Sequence, residues 1–303
     1  MYGKEIDKEN PIGVEITILV CDRSPYVNAL WSQFGLSMLI ECRWSGEMIR
    51  RILFDTGWTA EPVLHNMEAL GVTMESIDAL VLSHSHYDHT GGLAGILEAE
   101  GARFQVVAHT EITRPVFSTR RKGVHYIGLD PGDLGRLPQS RLLLIKEPLE
   151  LFPGVWVSGT IPRRTDFEKP ETGVYVLKEG EFVPDPELDD MAIVLNMGRK
   201  GIVVVTGCCH AGIVNTIKAA REITGNPTVY GVIGGLHLID LGEEVRKKTI
   251  ESLSEFSIGH IWSGHCTGWD AEIMLQESFG ERSSRFYTGD RITIPVQNQE
   301  ENS

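Results

Sequence analysis

The sequence has no apolar run long enough to cross a membrane. Its longest apolar stretches, such as residues 229–241, are interrupted by glycine and histidine, whereas a membrane-spanning helix needs about 20 apolar residues. The first residues, MYGKEIDKENP, are polar and lack the apolar core of a secretory signal. We therefore expect a cytoplasmic protein with no membrane partner.

Positive charge is also scarce. The chain has 28 lysines and arginines against 42 aspartates and glutamates, which gives a formal net charge of -14. Non-specific binding to nucleic acid obtains most of its affinity from basic side chains that neutralise phosphates. The charge balance therefore argues against a nucleic-acid partner.

Cysteine is too rare to form a disulfide framework. The five cysteines are an odd number, and two of them are adjacent, which favours reduced thiols in a reducing compartment. The hydrophobic content of 42% and the charged content of 23% are typical of an ordinary globular protein. The sequence contains no repeat of short fixed period and no low-complexity segment.

The most informative stretch is ALVLSHSHYDHTGGL, residues 79–93. It opens with a short aliphatic run that predicts a buried strand. Side chains with metal-binding groups follow at the end of that strand: His84, His86, Asp88 and His89. Imidazole and carboxylate ligands suit zinc, iron or manganese. The spacing therefore predicts one or two metal ions at this strand end.

Later strand ends also carry cysteine or histidine. The strand predicted at residues 201–206 runs into GCCHAG, which places Cys208 and His210 at its end. His237 follows a glycine pair after VYGVIG, and His265 lies between glycines after a short predicted strand. A thiol and an imidazole at a strand end, beside another metal-type cluster, favour Cys208 and His210 as ligands.

A basic segment stands out in this acidic chain. Residues 112–129 contain no acidic residue. Their basic side chains are Arg114, Arg120, Arg121, Lys122 and His125. Because arginine offers paired donors to phosphate oxygens, the segment predicts a binding site for an anionic group, with a solvated charged loop as the alternative. Arg163 and Arg164 either line the same pocket or form ion pairs with nearby acidic residues, and both roles stay open.

Hydrophobic periodicity predicts the remaining elements. Strands are predicted at residues 14–20, 36–41, 49–55, 104–108 and 187–195, and helices at residues 61–70, 213–223, 245–256 and 271–279. The aromatic side chains of residues 24–35 either rim a pocket or cover the edge of the core. Residues 288–290, TGD, are interpreted as a surface turn, and residues 296–303 as a polar tail.

HSHYDH followed by TGG, residues 84–92, resembles the signature of the metallo-β-lactamase superfamily. The similarity extends to Asp55-Thr56-Gly57 and to the late Gly264-His265. This resemblance implies an α/β fold of the αββα type, with two mixed sheets face to face and helices outside. It also implies a single domain over residues 1–303, with an insertion or cap at about residues 111–186.

The resemblance implies two divalent metal ions, with zinc expected and iron or manganese as alternatives. The ligands implied are His84 and His86 for one ion, and Asp88, His89 and His265 for the other. Gly207-Cys208 is similar to the Gly-Cys of β-lactamases that use a metal-bound thiolate, and His210 takes the place of an imidazole found elsewhere in the superfamily. Which of the two ions Cys208 and His210 would bind stays open. Glu187, Asp189 or Asp190 could also contribute an oxygen ligand.

Within the superfamily, GCCHAGIVNT, GGLHL, SGHCTG and SGTIPRRTDFE resemble the subgroup named for 7,8-dihydropterin-6-ylmethyl-4-(β-D-ribofuranosyl)aminobenzene-5'-phosphate synthase, from methanopterin biosynthesis. The function this implies is a hydrolase, or a synthase that transfers a dihydropterin group, acting on an anionic small molecule that bears phosphate or pyrophosphate. We predict Asp88 and His237 as catalytic residues. The predicted substrate-binding residues are Arg120, Arg121, Lys122 and Arg163.

Two other functions stay open. A regulatory protein could keep the fold, the metals and a ligand without turnover, although the full ligand set argues against it. Redox chemistry on a di-iron site is disfavoured because His86 stands where flavodiiron relatives carry glutamate.

Overall fold

The computed structural model describes residues 10–27, 29–137 and 139–295. Within these residues the strands form two seven-stranded sheets and one four-stranded sheet. In spatial order, the first sheet contains β18 (Arg291–Ile294), β1 (Gly13–Val20), β2 (Ser37–Arg43), β3 (Ile49–Phe54), β4 (Ala79–Val81), β5 (Gln105–His109) and β8 (Leu142–Ile145). The second contains β17 (Ser283–Arg285), β16 (His260–Ser263), β15 (Val229–Gly234), β14 (Ile202–Thr206), β13 (Ala192–Asn196), β10 (Val155–Val157) and β9 (Leu149–Phe152).

The smaller sheet, called the cap sheet below, is formed by β12 (Glu181–Pro184), β11 (Val174–Lys178), β6 (Val116–Ser118) and β7 (His125–Tyr126). The helices are α1 (Ala60–Ala69), α2 (Tyr87–Thr90), α3 (Leu93–Glu98), α4 (Pro131–Gly135), α5 (Ile213–Thr224), α6 (Glu243–Ser254) and α7 (Trp269–Phe279). No helix within the described residues is both long and apolar enough to cross a membrane.

The two large sheets pack face to face, and helices cover their outer faces. Ile16 and Ile52 of the first sheet share one buried cluster with Ile193 and Val203 of the second. Neighbouring side chains on each strand point outward, because side chains alternate along a strand. Leu53 thus packs with α1 and α3, while the outer face of the second sheet packs with α5, α6 and α7. The predicted αββα sandwich is confirmed.

The segment at about residues 111–186, predicted as an insertion or cap, contains two different structures. The cap sheet lies outside the two large sheets, as an insertion would. Strands β8, β9 and β10 belong to the large sheets instead, so the prediction does not hold for residues 142–157. These strands have three or four residues each, too few to produce a clear alternation.

Parallel pairing brings the metal-type side chains to one edge of the sandwich. Strands β3, β4, β5 and β8 are parallel, and so are β14, β15, β16 and β17. The carboxyl ends of parallel strands lie along the same edge of a sheet. At Gly207, after β14, a Cβ atom would lie 2.2 Å from Ser83 Oγ, after β4. Glycine therefore permits the close approach of the two strand ends.

The end of the chain differs from its prediction. Thr288, interpreted as part of a surface turn, is fully buried. Its hydroxyl accepts a hydrogen bond from Cys21 N at 3.0 Å and donates one to Cys21 O at 3.1 Å. The turn therefore holds the end of β1. The predicted polar tail, residues 296–303, lies outside the described residues.

Candidate metal centre

Within the described residues, the sulfur atom of Cys208 belongs to three groups of possible metal ligands, and two of these consist entirely of predicted ligands and are called the ligand groups below. One group contains Asp88, His89, Cys208 and His265, and the other contains His84, Cys208 and His210. In each group the ligand atoms lie within 4.8 Å of one another. His89 Nε2 is 3.1 Å from Cys208 Sγ, and His84 Nε2 is 3.2 Å from His210 Nε2. The thiol of Cys208 thus lies where it can serve both groups.

The imidazoles of these groups are oriented through their outer nitrogens. His89 Nδ1 donates to Asp55 Oδ2 at 2.7 Å, and His265 Nδ1 donates to Asp22 Oδ1 at 3.0 Å. His84 Nδ1 lies 2.9 Å from Ser83 Oγ, and His210 Nδ1 lies 3.1 Å from Glu187 Oε1. Outer hydrogen bonds such as those of His89, His265 and His84 fix the tautomer and the direction of metal-binding histidines, whereas the His210 contact is an ion-pair distance without hydrogen-bond geometry. They leave the Nε2 atoms facing inward.

His86 adds an unpaired nitrogen to the same region. Its Nε2 atom is buried and has no hydrogen-bond partner among the described residues. Its ring centroid lies 4.6 Å from those of His84 and His210. Because buried polar groups are almost always paired, an orphaned imidazole nitrogen here fits a metal ion. All seven predicted ligands therefore lie in one cluster.

The protonation tendencies of the metal-free cluster suit cation binding. Burial and the neighbouring imidazoles hold the pKa of His84 and His210 well below the ordinary value, and burial lowers that of His86 to about 4. These rings are therefore neutral, the form that binds metals. Burial opposes ionisation of Asp88, but His89 and His265 hold its pKa below the usual range. Burial raises the pKa of the Cys208 thiol, so a bound cation would be needed to stabilise its thiolate.

The cluster opens into a cavity of about 680 Å³. Asp88, Cys208, His210 and His265 line part of its wall. Phe34 and Tyr87 form an aromatic side. Arg120 and Arg121, from the loop between β6 and β7, and His125 of β7 lie on the cap-sheet side. The cavity is thus large enough for a small molecule and brings it beside the candidate ligands.

Comparison with known proteins decides the family. Residues 50–134 match the family described as β-lactamase superfamily domain. The chain is 39% identical over 282 residues to 7,8-dihydropterin-6-methyl-4-(beta-D-ribofuranosyl)-aminobenzene-5'-phosphate synthase of Methanocaldococcus jannaschii, covering 91% of this chain and 95% of that protein. This chain belongs to the metallo-β-lactamase superfamily.

Two further similarities agree with this assignment. A second, uncharacterized protein of Methanocaldococcus jannaschii is 32% identical over 263 residues, covering 86% of this chain and 94% of that protein. The crystal structure of Tm1679, described as a metal-dependent hydrolase of the β-lactamase superfamily, matches with a TM-score of 0.77 at 26% identity. That match covers 93% of this chain and 99% of that one. The resemblance noted in the sequence is confirmed.

The predicted substrate-binding side chains have different environments in this superfamily member. Arg120 lines the cavity, but its guanidinium forms ion pairs with Glu171 and Asp240. Arg121 also lines the cavity and has no carboxylate partner among the described residues. Lys122 is exposed and does not belong to the described cavity wall. Of the basic segment, Arg121 is therefore the cation best placed to meet an anion.

Arg163 lies behind the metal-type cluster rather than on the described cavity wall. It pairs with Glu187 at 2.8 Å and donates to the His210 carbonyl oxygen at 2.7 Å. Arg164 pairs with Glu222 at the surface. Of the two roles left open for these arginines, the structure favours ion pairing, because both guanidiniums meet carboxylates.

The acidic residues before β13 also support the cluster from behind. Asp189 accepts a hydrogen bond from Ser85 N at 2.8 Å, and Asp190 accepts one from Ala211 N at 2.8 Å. With Glu187 beside His210, each of these carboxylates contacts a ligand-bearing loop without joining either ligand group. They hold the loops in place, and an oxygen ligand from this segment stays a prediction, because Glu187 Oε1 and Asp190 Oδ1 are buried without a hydrogen-bond partner among the described residues.

His237 lies on the cavity wall next to the group that contains His84 and His210. Its ring centroid is 4.1 Å from that of His210, and its Nε2 atom is 3.2 Å from Glu171 Oε1. Its ligand nitrogen also lies within 4.8 Å of the sulfur atoms of Cys208 and Cys266. His237 is therefore placed to contact a molecule in the cavity.

Sequence reasoning missed the acids that orient the histidines. Asp55 accepts hydrogen bonds from Ser83 N, Ser83 Oγ and His89 Nδ1, each at 2.7 Å. The Asp-Thr-Gly after β3 was a signal for Asp55, since polar residues at strand ends commonly serve sites. Asp22 had no such signal, because it is far from His265 in the sequence.

Proposed function

We propose that this protein is an enzyme that uses two divalent metal ions to act on a small molecule bearing phosphate or pyrophosphate. One ion would be held by His84, His86 and His210, the other by Asp88, His89 and His265, and Cys208 would add a thiolate ligand, since it belongs to both ligand groups. The observation that carries the proposal is the pair of ligand groups sharing one thiol on the wall of a cavity that also contains Arg121. Zinc is the favoured metal because imidazole and thiolate ligands suit it.

Divalent ions at these positions would supply Lewis-acid chemistry, which polarises phosphoryl oxygens and stabilises a departing phosphate. Arg121 would bind an oxygen of the same phosphate from the cap-sheet side, with a charge-assisted hydrogen bond. Because Arg121 lacks a carboxylate partner among the described residues, it would not have to break an ion pair to do so.

Two side chains on the cavity wall would handle the nucleophile and the leaving group. Asp88 is ionised and lines the cavity, so we expect it to accept a hydrogen bond from the incoming nucleophile and orient it. His237, held by Glu171, would donate a hydrogen bond to an oxygen of the substrate. Both roles apply whether the nucleophile is water or an amine.

The two reaction classes differ in the bond that forms. In hydrolysis, a water oxygen bonds to phosphorus while a bond from phosphorus to oxygen breaks. In group transfer, an arylamine or a ring carbon bonds to carbon while the carbon–oxygen bond to pyrophosphate breaks. The relative named as a synthase supports the second class, and the metal-dependent hydrolase supports the first. In hydrolysis the alcohol oxygen leaves and the phosphoryl oxygens carry negative charge, and in group transfer the pyrophosphate leaves with it, so in both classes Arg121 would meet a negatively charged phosphate oxygen.

Turnover before and after metal removal tests this proposal. The protein would be stripped with a chelator, reloaded with zinc, manganese or iron, and assayed on a phosphomonoester, a phosphodiester, a β-lactam, and a dihydropterin pyrophosphate with an arylamine. We expect turnover of a phosphate-bearing substrate that is lost on chelation and restored by one of the metals. Bound metal without turnover on any of these compounds would favour a binding protein instead.

A matched pair of variants tests the shared thiol. Cys208→Ser should lower turnover and metal content together. Cys209→Ala is the control, because the Cys209 side chain is equally buried but packs in the helix-covered cluster of the second sheet. Loss of metal in both variants would indicate a general defect of the loop rather than ligation by Cys208.

A further inference from the structure

A second thiol lies beside Cys208 at the candidate metal centre. Cys266 follows β16 and belongs to the third group that contains Cys208, in which the two sulfur atoms and one imidazole nitrogen of His237 lie within 4.8 Å of one another. The Cys266 thiol donates to the carbonyl oxygen of Cys208 at 3.5 Å. Cys266 is in neither of the two ligand groups, so the proposed metal centre does not by itself account for its position.

The backbone leaves room between these two side chains. Gly235 follows β15, and a Cβ atom there would lie 2.6 Å from Cys266 Sγ and 3.4 Å from the Cα atom of Cys208. A larger residue at this position would therefore press on the Cys266 sulfur. Gly235 N also donates to Gly207 O at 3.0 Å, which fastens the end of β15 to the residue before Cys208. Backbone contacts thus hold the two thiols side by side.

Both thiols face the cavity, where a small oxidant can reach them. Cys208 and Cys266 line the cavity wall, although they are only 4% and 9% exposed. The other three cysteines do not line this cavity. Cys21 and Cys42 are fully buried in the cluster between the two large sheets, and Cys209 packs in the helix-covered cluster of the second sheet. An oxidant in the cavity would therefore meet Cys208 and Cys266 and none of the others.

We propose that Cys208 and Cys266 form a redox-sensitive pair, which hydrogen peroxide converts into a disulfide that withdraws the Cys208 thiolate from the metal centre. A disulfide needs sulfur atoms about 2 Å apart, and rotation of both thiols about their Cα–Cβ bonds closes the remaining gap.

The reaction takes place in two steps. One sulfur bonds to a peroxide oxygen while the O–O bond breaks, and the departing oxygen takes the thiol proton and leaves as water. The sulfenic acid that remains is attacked by the other sulfur. The S–S bond then forms while the S–O bond breaks, and a second water leaves with the proton of the second thiol. The thiols lose two electrons in total, and the peroxide gains them.

Oxidation would act on the proposed centre through the loss of a ligand. Cys208 belongs to both ligand groups, and a thiol binds metal as the thiolate, which a disulfide sulfur cannot provide. Loss of an outer hydrogen bond alone lowers metal affinity about 10- to 100-fold, so loss of the ligand should lower it by about tenfold or more. This consequence rests on the proposed function, whereas the disulfide requires only the positions of the two thiols.

Mass spectrometry of the metal-stripped, full-length protein tests the disulfide alone. After treatment with hydrogen peroxide we expect the loss of two of the five free thiols. We also expect a cross-link between tryptic peptides 201–218 and 249–282, which dithiothreitol should reverse. Five intact thiols, a bond between the adjacent Cys208 and Cys209, or oxidation to sulfinic acid without a cross-link would overturn the proposal.

Matched variants assign the bond, because Cys208 and Cys209 lie in the same tryptic peptide. Cys209→Ala should keep the cross-link, whereas Cys208→Ser and Cys266→Ser should each abolish it. A cross-link that survives Cys208→Ser, or that Cys209→Ala abolishes in a folded protein, would contradict the assignment.

The zinc-loaded protein tests the consequence for the metal centre. Peroxide should release zinc to a chromophoric chelator, and dithiothreitol followed by zinc should restore binding. Cys266→Ser should retain more of its zinc under the same treatment, because Cys208 then has no partner. A cross-linked protein that keeps all its zinc would overturn the withdrawal of the ligand. A protein that binds no zinc before oxidation but forms the cross-link would support the pair and count against the proposed metal centre.

Discussion

Replacing Asp55 with asparagine should weaken the metal site formed by Asp88, His89 and His265 more than the site formed by His84, His86 and His210. Asp55 is fully buried and accepts hydrogen bonds from Ser83 and His89. Its φ of +63° is a backbone conformation that asparagine adopts readily, so the substitution should preserve the local fold. The substitution removes the negative charge and replaces one acceptor oxygen with an amide nitrogen. Both the charge and that oxygen help to orient the His89 ring.

The size of the effect follows from these contacts. Loss of an outer hydrogen bond to a metal-binding histidine typically lowers metal affinity about 10- to 100-fold, and we expect that range for the ion held by Asp88, His89 and His265. Among the described residues, His84 is linked to Asp55 through Ser83 Oγ, so the ion on that side should lose less affinity. The weakened buried hydrogen bonds should also lower the free energy of unfolding by about 1.5–3 kcal/mol.

Metal affinity would be measured by competition between each variant and a chromophoric chelator. Metal content would then be measured by elemental analysis, and stability by thermal unfolding. Asp78→Asn is the control, because Asp78 also accepts a backbone hydrogen bond, from Arg51 N at 2.8 Å, but belongs to neither ligand group. The control should lose stability without losing metal. A folded Asp55→Asn protein that keeps both ions at wild-type affinity, or that loses both equally, would refute the reasoning.

Other predictions concern packing and metal linkage. Gly207→Ala should lower the free energy of unfolding by about 1–3 kcal/mol, because its Cβ would meet Ser83 Oγ at 2.2 Å; an unchanged chemical denaturation midpoint would contradict this. Glu168→Ala should cost about 1–2 kcal/mol in the same measurement, because its carboxylate accepts from Val214 N and Asn215 N at the start of α5; Glu168→Gln should recover part of this loss. Removing the metals should lower the melting temperature by about 10 °C, with recovery on adding zinc; calorimetry showing equal melting temperatures would argue against tight binding.

The ligand side chains could be predicted because their spacing is local. His84, His86, Asp88 and His89 follow one buried strand, and Cys208 and His265 follow two others. Strand ends of this kind can be recognised from a short apolar run and the polar residues after it. The fold class followed from the same motifs through the resemblance, and the comparisons confirmed it.

The side chains that support the ligands could not be predicted in the same way. The contact between Asp22 and His265 joins residues separated by 243 positions, and no local pattern records it. The basic segment was visible in the sequence, but the neutralisation of Arg120 by Glu171 and Asp240 depends on chain folding. Thr288 is buried for the same reason, because its partner Cys21 lies at the opposite end of the chain.

The central claim is that the two ligand groups each hold one metal ion, and metal content tests it most directly. Elemental analysis of the zinc-loaded protein should find two ions per chain in the wild type. His265→Ala and His210→Ala should each retain one, because each removes a ligand from a different group. A single ion in the wild type, or two ions retained in folded His265→Ala protein, would contradict the proposed centre.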